Sequence, residues 1–160
     1  MSWGTIEEEN LRPDNQSGSA EILPARAADI RAYAQAALNG IMPARPYMII
    51  APAPEFLAAA LELRPATEIR LSAQTIMAHK HHNETTAEIY ATLPILLLER
   101  GLWVKRPKDG RISAYAATDG KIWEMGIKRT KKAEIYIPTL HLCEARRYKI
   151  AAREGIILNT

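Results

Sequence analysis

Three of the four histidines of this chain lie within residues 75–84, the histidine segment. His79, His81 and His82 flank Lys80 there. Imidazole is the side chain best suited to move protons near neutral pH, so the segment is a candidate half of an acid–base active site. On a helix, His79 and His82 are three residues apart and share a face. The same pattern is also typical of a solvated helix end, where positive charge is favourable.

A metal site is a second interpretation of the histidine segment. His79 and His82 have a spacing that allows them to share a metal ion, and Glu84 is close in sequence. No other pair of histidines or cysteines completes a coordination shell, and His141 is the remaining histidine. We therefore favour acid–base chemistry and predict no metal and no cofactor.

A cluster of cations surrounds a predicted turn at residues 130–132. Its members are Lys128, Arg129, Lys131 and Lys132. Alternation along a strand places Lys128 on the same face as Glu124 and Gly126. A glycine at that point leaves room for a ligand or a neighbouring chain to approach closely. The cluster is either part of a binding site or a basic hairpin tip in solvent.

The following strand is predicted to bring a hydroxyl and an imidazole to the same place. Simple alternation puts Ile135, Ile137, Thr139 and His141 on one face. A cation of one strand and a hydroxyl or imidazole of the next are then expected to meet over one face of the sheet. Beyond this strand, Arg146 and Arg147 add guanidinium groups suited to phosphate.

The distribution of charge favours an anionic partner. The net charge of +3 combines five basic and eight acidic side chains in residues 1–66 with sixteen basic and ten acidic in residues 67–160. A basic half of this kind is typical of proteins that bind nucleic acid, although it also serves solubility. The longest apolar run, residues 93–98, is too short to span a bilayer, so no membrane partner is expected.

Two features of the sequence bear on the compartment. The acidic beginning of the chain lacks the pattern of a signal peptide. The single Cys143 cannot form a disulfide within the chain, which fits a reducing compartment. We expect a cytoplasmic or virion-associated protein.

The elements that must position these residues fall into three regions. Residues 1–19 are polar and predict a flexible arm. Residues 20–66 predict a helical accessory region, with helices at 24–39 and 55–63 around an apolar run at 47–51. That run is either a strand or an extended strap.

The remaining region, residues 67–160, is predicted to hold the site. After a short extended piece, Ser72 caps a helix that runs through His82. A helix is expected from residue 87 to about residue 93, with a break or a new first turn at Pro94 and then a short helical segment that ends at Gly101. Four strands then follow, at residues 102–106, 111–117, 121–129 and 134–142, joined by short turns that include two Asp-Gly pairs. We predict an α+β fold in which N-terminal helices precede a four-stranded antiparallel meander and a C-terminal helix.

The order of these motifs resembles a known family. Leu71-Ser72, a helix followed by His82, then Tyr90 and the step Leu93-Pro94, resemble the helical half of phage-borne nuclease domains of the barnase–EndoU–colicin–RelE (BECR) group. Those domains occur with Mu F-like head-morphogenesis proteins. In that family a meander follows whose third strand ends in a lysine and whose fourth carries a hydroxyl residue, followed by basic residues. Lys128 and Thr139 match that pattern over residues 68–150.

The resemblance implies a metal-independent endoribonuclease that cleaves RNA by transesterification through the ribose 2′-hydroxyl. It implies His82 as the acid or base, with His79 or His141 as its partner. Lys128 and Arg146 would stabilise the phosphorane, with Thr139 as a hydrogen-bond donor.

Contacts to the RNA are assigned on the same basis. Arg129 and Arg147 would bind phosphate, and Tyr90 would either stack on a base or pack in the core. Trp103 and Trp123 lie on predicted strands and are expected in the core.

Two other functions fit the same sequence. One is a non-catalytic phage virion or head-assembly protein that keeps the nuclease-like fold and docks a partner through residues 1–66. The other is a nucleic-acid binder without catalysis. The partners expected across these functions are RNA, phage head or neck proteins, and an immunity protein if the domain is toxin-like.

Overall fold

A mixed β-sheet of seven strands is the frame of residues 22–159, the part of the chain described by the computed structural model. Side chains are described for residues 26–159, so the arm predicted at residues 1–19 lies outside the described residues. The strands are β1 (Tyr47–Pro52), β2 (Glu68–Ser72), β3 (Leu102–Lys105), β4 (Ile112–Thr118), β5 (Lys121–Arg129), β6 (Ile135–Cys143) and β7 (Ile156–Ile157). The helices are α1 (Ile22–Leu38), α2 (Glu55–Ala60), α3 (Ala73–Ala78), α4 (Ala87–Arg100) and α5 (Ala145–Glu154).

The sheet is larger than the predicted four-stranded meander. Its order is β1-β2-β6-β5-β4-β3-β7, and all neighbours are antiparallel except β2 and β6, which are parallel. Strands β3 to β6 are antiparallel neighbours in chain order, as predicted, and the α+β class is confirmed. The prediction was wrong in extent because β1 and β2 extend the β6 edge and β7 extends the β3 edge. Short apolar runs do not reveal from sequence which distant strand they pair with.

One face of the sheet is apolar and covered by helices. The largest fully buried side chains are Trp103, Tyr90, Ile30, Ile50, Leu57, Ile69, Leu71, Ile76 and Leu93. Strands β4 and β5 contribute Ala114, Trp123 and Met125 to the same core. Helices α1, α3 and α4 supply the other side, and the core positions predicted for Trp103 and Trp123 are confirmed.

Helix α3 is shorter than predicted and ends before the histidines. Its N-cap is as expected, since Ser72 Oγ accepts a hydrogen bond of 3.1 Å from Thr75 N. The helix stops at Ala78, whereas the sequence predicted a helix through His82. Histidine and asparagine favour helices less than alanine does. In addition, the buried Thr85 hydroxyl donates to Leu140 O at 3.4 Å, which holds the following chain against β6.

Helix α4 is longer than predicted because it continues through Pro94. Proline removes one backbone donor and normally interrupts a helix. In α4, every residue from Tyr90 to Leu97 is buried, so the core contacts of the whole helix offset that loss.

Strand β6 contains a bulge that changes which residues share a face. Gly126 pairs with Thr139, but Lys128 pairs with Tyr136, so β6 uses one residue more than β5 over this interval. Proline has no N–H to give to the ladder, and Pro138 lies in the bulge. Ile135 and Ile137 therefore lie in the core, while Thr139 lies on the opposite face. The prediction that Ile135, Ile137, Thr139 and His141 share one face was therefore wrong for the two isoleucines.

The second face of the sheet is only partly covered. Helix α5 follows β6 and lies against this open face, where the Tyr148 ring centroid is 5.6 Å from that of Tyr115 in β4. None of the residues of α5 is fully buried. Among the described residues, no helix has the length and apolar character needed to cross a membrane.

Candidate active site on the open face of the sheet

A cavity of about 450 Å³ lies on the open face between α5 and the β3–β4 hairpin. We call it the trough. Its polar lining residues are Arg106, Arg111, Ser113, Glu124, Lys128, Thr139, His141 and Arg147. Four of these are lysine or arginine, so the trough is cationic around a single carboxylate.

Glu124 lies at the base of the trough and is 4% exposed, the only buried carboxylate among the described side chains. The Tyr115 hydroxyl donates to Glu124 Oε2 at 3.0 Å. Arg147 lies 3.4 Å from Oε1 through Nε and 3.5 Å from Oε2 through Nη2. Oε1 itself accepts no hydrogen bond within the described residues. Burial of a carboxylate with an oxygen that accepts no hydrogen bond costs free energy, and a catalytic role is one explanation for such a group.

His141 faces Glu124 across the β5–β6 pair, where the two residues are direct partners. Its Nε2 is 3.7 Å from Glu124 Oε1. Its Nδ1 lies 2.8 Å from Leu142 O, and because a carbonyl only accepts, Nδ1 carries a proton. Nε2 is therefore the ring nitrogen that is left to contact Glu124 in the trough.

Gly126 makes room for the hydroxyl of Thr139. A Cβ atom at Gly126 would lie 2.6 Å from Thr139 Oγ1, far inside van der Waals contact. The expected close approach at this glycine is therefore made by a side chain of the neighbouring strand. The open space that remains lets the Thr139 hydroxyl line the trough beside Lys128.

The cations of the trough come from three elements. Lys128 is exposed at the end of β5, and Arg147 lies in the first turn of α5. Arg106 and Arg111 belong to the β3–β4 hairpin, where both contact Asp109, at 3.3 and 3.6 Å. The first turn of α5 holds no acidic residue, although the helix dipole favours negative charge there. An anion in the trough would be stabilised by these cationic side chains.

Tyr115 supports Glu124 from the side of β4. Burial, followed by the neighbouring Glu124 carboxylate, raises the pKa of Tyr115 to about 12. The phenol therefore stays protonated at neutral pH and remains a hydrogen-bond donor to Glu124. The ring of Tyr115 projects from β4 and packs against the ring of Tyr148. This contact holds the Tyr115 hydroxyl in the position from which it orients Glu124.

The histidine segment lies outside the trough. His82 Nδ1 is 3.6 Å from Glu84 Oε2, and the rings of His81 and His82 are 4.3 Å apart. His79 Nδ1 is 2.9 Å from Thr75 O. None of the three histidines lines the trough.

The other predicted site residues separate into two groups. Those that the structure brings together in the trough are Lys128, Thr139, His141 and Arg147. Arg129 and Arg146 are exposed next to trough residues in sequence but do not line it. Tyr90 is 2% exposed in the core, and burial raises its pKa to about 12. Of the two roles expected for Tyr90, stacking on a base or packing in the core, its position supports packing.

The sequence pattern alone did not identify Glu124 as a residue of the site. Glu124 stood between Trp123 and Met125 and was noted only for sharing a face with Lys128. A lone carboxylate in an otherwise apolar strand, on the face that carries a lysine, was the available signal. Its direct pairing with His141 depends on the bulge in β6, which the sequence analysis did not include.

No metal-binding group stands out in residues 26–159, since no three His, Cys, Asp or Glu side chains are arranged there to hold an ion. Comparisons of the chain with protein-family models, with curated proteins and with solved structures find no match. The chemistry of the trough is therefore inferred from its own residues.

Proposed function

We propose that the trough is the active site of a metal-independent endoribonuclease that cleaves RNA through the ribose 2′-hydroxyl. The observation that carries the proposal is the buried Glu124 carboxylate, whose Oε1 accepts no hydrogen bond and lies 3.7 Å from His141 Nε2 at the base of a cationic cavity. Transesterification of RNA needs a base, an acid and cations near one phosphate. The trough offers all three within one cavity.

Glu124 is assigned as the base. Its Oε1 accepts the proton of the 2′-hydroxyl, and the resulting oxygen attacks the adjacent phosphorus. Tyr115 and Arg147 donate hydrogen bonds to Oε2, whereas Oε1 has ion-pair contacts but accepts no hydrogen bond, so Oε1 is the oxygen available to the substrate.

His141 is assigned as the acid. Its Nδ1 proton is committed to Leu142 O, so a second proton on Nε2 is the one available for transfer. Nε2 gives this proton to the departing 5′-oxygen as the bond between phosphorus and that oxygen breaks. The products are a 2′,3′-cyclic phosphate and a free 5′-hydroxyl.

Negative charge on the phosphoryl oxygens is stabilised by Lys128 and Arg147, with the Thr139 hydroxyl as a donor. Electrostatic stabilisation of this kind is usually the largest single contribution to catalysis. The BECR resemblance supports the same reaction class, but the trough favours Glu124 and His141 over His82 for proton transfer.

The direct test is cleavage by the purified full-length chain in EDTA. The substrates are a single-stranded RNA oligonucleotide with a fluorophore and a quencher, and the same sequence with 2′-deoxyribose throughout. We expect cleavage of the RNA alone, with 2′,3′-cyclic phosphate ends identified by mass spectrometry.

Two results would overturn the proposal. Equal cleavage of the deoxy oligonucleotide would exclude attack by the 2′-hydroxyl. Salt-dependent RNA binding without cleavage by excess protein would instead support the non-catalytic binder or virion protein.

A further inference from the structure

A cluster of Tyr47, Arg70 and Tyr136 continues the open face beyond the trough, and we call it the tyrosine platform. The pairing of the strands places it there, because Tyr136 of β6 is the partner of both Lys128 in β5 and Arg70 in β2. Tyr47 lies on β1, the neighbour of β2. The platform is thus adjacent to Lys128, which lines the trough.

Arg70 holds the two rings in position. Its Cζ lies 4.3 Å from the ring centroid of Tyr47 and 5.9 Å from that of Tyr136. The ring centroids are 6.2 Å apart, with an interplanar angle of 83°. Both distances from Arg70 fall within the range of cation–π attraction, so the half-buried rings form a pre-organised aromatic surface.

The charge of the platform suits a nucleobase better than a phosphate. Arg70 forms ion pairs with Glu134 at 2.6 Å and with Glu68 at 3.4 Å, which offset its positive charge. Exposed cations lie instead on β5 and the turn that follows it, at Lys128, Arg129, Lys131 and Lys132. Phosphates are therefore attracted to these lysines and to Arg129, whereas the platform presents the aromatic rings of Tyr47 and Tyr136.

We propose that the tyrosine platform is a base-stacking subsite for single-stranded RNA that is bound across the trough. The inference rests on the proposed ribonuclease function and adds the form of the substrate. Tyr136 is three residues from Thr139, or about 10 Å at a strand rise of ~3.3 Å per residue. A base beyond the cleaved linkage is thus able to reach the rings, and base–aromatic stacking of this kind is tolerant of sequence.

The test separates binding from cleavage by using a 2′-O-methyl RNA oligonucleotide, which cannot undergo transesterification. Fluorescence anisotropy measures its affinity for the full chain and for Tyr136→Leu, with Tyr136→Phe as the matched control that keeps the ring. We expect about a tenfold loss of affinity or more for Tyr136→Leu and an unchanged affinity for Tyr136→Phe.

Abasic substitutions along the oligonucleotide provide a second measurement on the unaltered protein. An abasic site opposite the platform is expected to weaken binding to the unaltered protein by about tenfold and to have no effect on Tyr136→Leu. The same abasic penalty in both proteins, or no penalty at any position, would overturn the platform. These oligonucleotides also test the inference if Tyr136→Leu fails to fold.

Cleavage assays distinguish this inference from the proposed function. A dinucleotide is too short to reach the platform, so Tyr136→Leu should raise KM far more for a longer RNA than for a dinucleotide. If the unaltered protein binds RNA with ring-dependent affinity but never cleaves it, the platform stands and the ribonuclease function fails. If the unaltered protein does not bind RNA, both fail.

Discussion

The histidine segment and the trough contain the same chemical groups in different surroundings. The segment holds three histidines and Glu84, and the His82–Glu84 pair has side chains that are 41% and 32% exposed. The trough holds one histidine and one glutamate, His141 and Glu124, whose side chains are 31% and 6% exposed. The two His–Glu distances are nearly equal, 3.6 and 3.7 Å. What differs is burial, the hydroxyl and guanidinium on the carboxylate, and the cavity beside it.

The comparison teaches that a dense cluster of titratable residues is a weak sign of a site. A pair in solvent is screened by water and contributes little. A carboxylate that is removed from water, with its orientation fixed by neighbours, has a much stronger field at the position of a substrate. The substitutions below test whether this difference decides activity.

The largest expected effect is the loss of proton transfer in the trough. We expect Glu124→Gln and His141→Ala each to lower kcat by about 10²–10⁴-fold on the RNA oligonucleotide, the usual contribution of a general acid or base. The matched changes in the histidine segment, Glu84→Gln and His82→Ala, should leave kcat unchanged.

Circular dichroism and thermal unfolding of all four variants control for loss of the fold. A large loss of activity in His82→Ala with full activity in His141→Ala would reverse the comparison. The active site would then belong to the histidine segment.

A smaller effect is expected from two neighbouring arginines of α5. Arg147 contacts Glu124 and lines the trough, whereas Arg146 does not line it. We expect Arg147→Ala to lower kcat/KM by about 10²-fold, since one donor to a developing oxyanion is typically worth this much. Arg146→Ala should show only the weakening of RNA binding that is due to net charge.

Steady-state kinetics at two salt concentrations separates these contributions. The deficit of Arg147→Ala should persist at high salt, because its partner Glu124 is buried and a partly buried ion pair is screened less than two surface charges. Equal deficits in both variants would mean that the arginines act only through net charge.

A substitution that disturbs the packing of the trough is expected to lower the free energy of unfolding, whereas a substitution in the histidine segment is not. Gly126→Ala brings a methyl group to within 2.6 Å of Thr139 Oγ1, and such overpacking costs about 1–3 kcal/mol. Urea unfolding should show this loss, and Thr139→Ala in the same chain should recover most of it. Asn83→Ala, an exposed position of the histidine segment, serves as the control and should leave the free energy of unfolding unchanged. A neutral Gly126→Ala would mean that the strands separate easily at this point.

The smallest effect concerns stability at high pH. The folded protein raises the pKa of Tyr115 to about 12, above the value of about 10 in an unfolded chain. The folded state therefore binds the phenol proton of Tyr115 more tightly than the unfolded chain does. The contribution of Tyr115 to the free energy of unfolding is complete below about pH 10 and is lost as the pH rises toward 12. Tyr115→Phe should flatten the decline in unfolding free energy over this interval, as measured by urea unfolding at a series of pH values. A decline as steep as that of the unaltered protein would contradict the assignment.

Much of the local structure follows from the sequence. The strands from residue 102 to residue 143 and their antiparallel order were predicted from alternation and Asp-Gly turns, and the cap at Ser72 was predicted from its side chain. These features depend on residues close in the chain. The limits of α3 and α4 were wrong because contacts with distant residues decide them: Thr85 bonds to Leu140, and the core encloses Pro94.

The candidate site was predictable only in part. Lys128 and Thr139 were expected to meet over one face, and they do, with Gly126 leaving the space between strands. Glu124 was overlooked because its apolar neighbours indicate a buried strand but do not show that the face of Glu124 is covered as well. Glu124 is buried because α5 lies against the open face of the sheet, where Arg147 of this helix contacts the carboxylate.

The sequence by itself determined the chemical groups, the basic second half and the period-two strands, since each depends on residue type and short-range spacing. Only the tertiary structure decided which histidine stands beside a buried carboxylate. One residue in the bulge of β6 shifts the strand by one step, and the side-chain period of two then turns Thr139 and His141 toward Glu124. The choice between His82 and His141 thus depends on the register of the β5–β6 hairpin and on the burial of Glu124, which composition and local pattern do not encode.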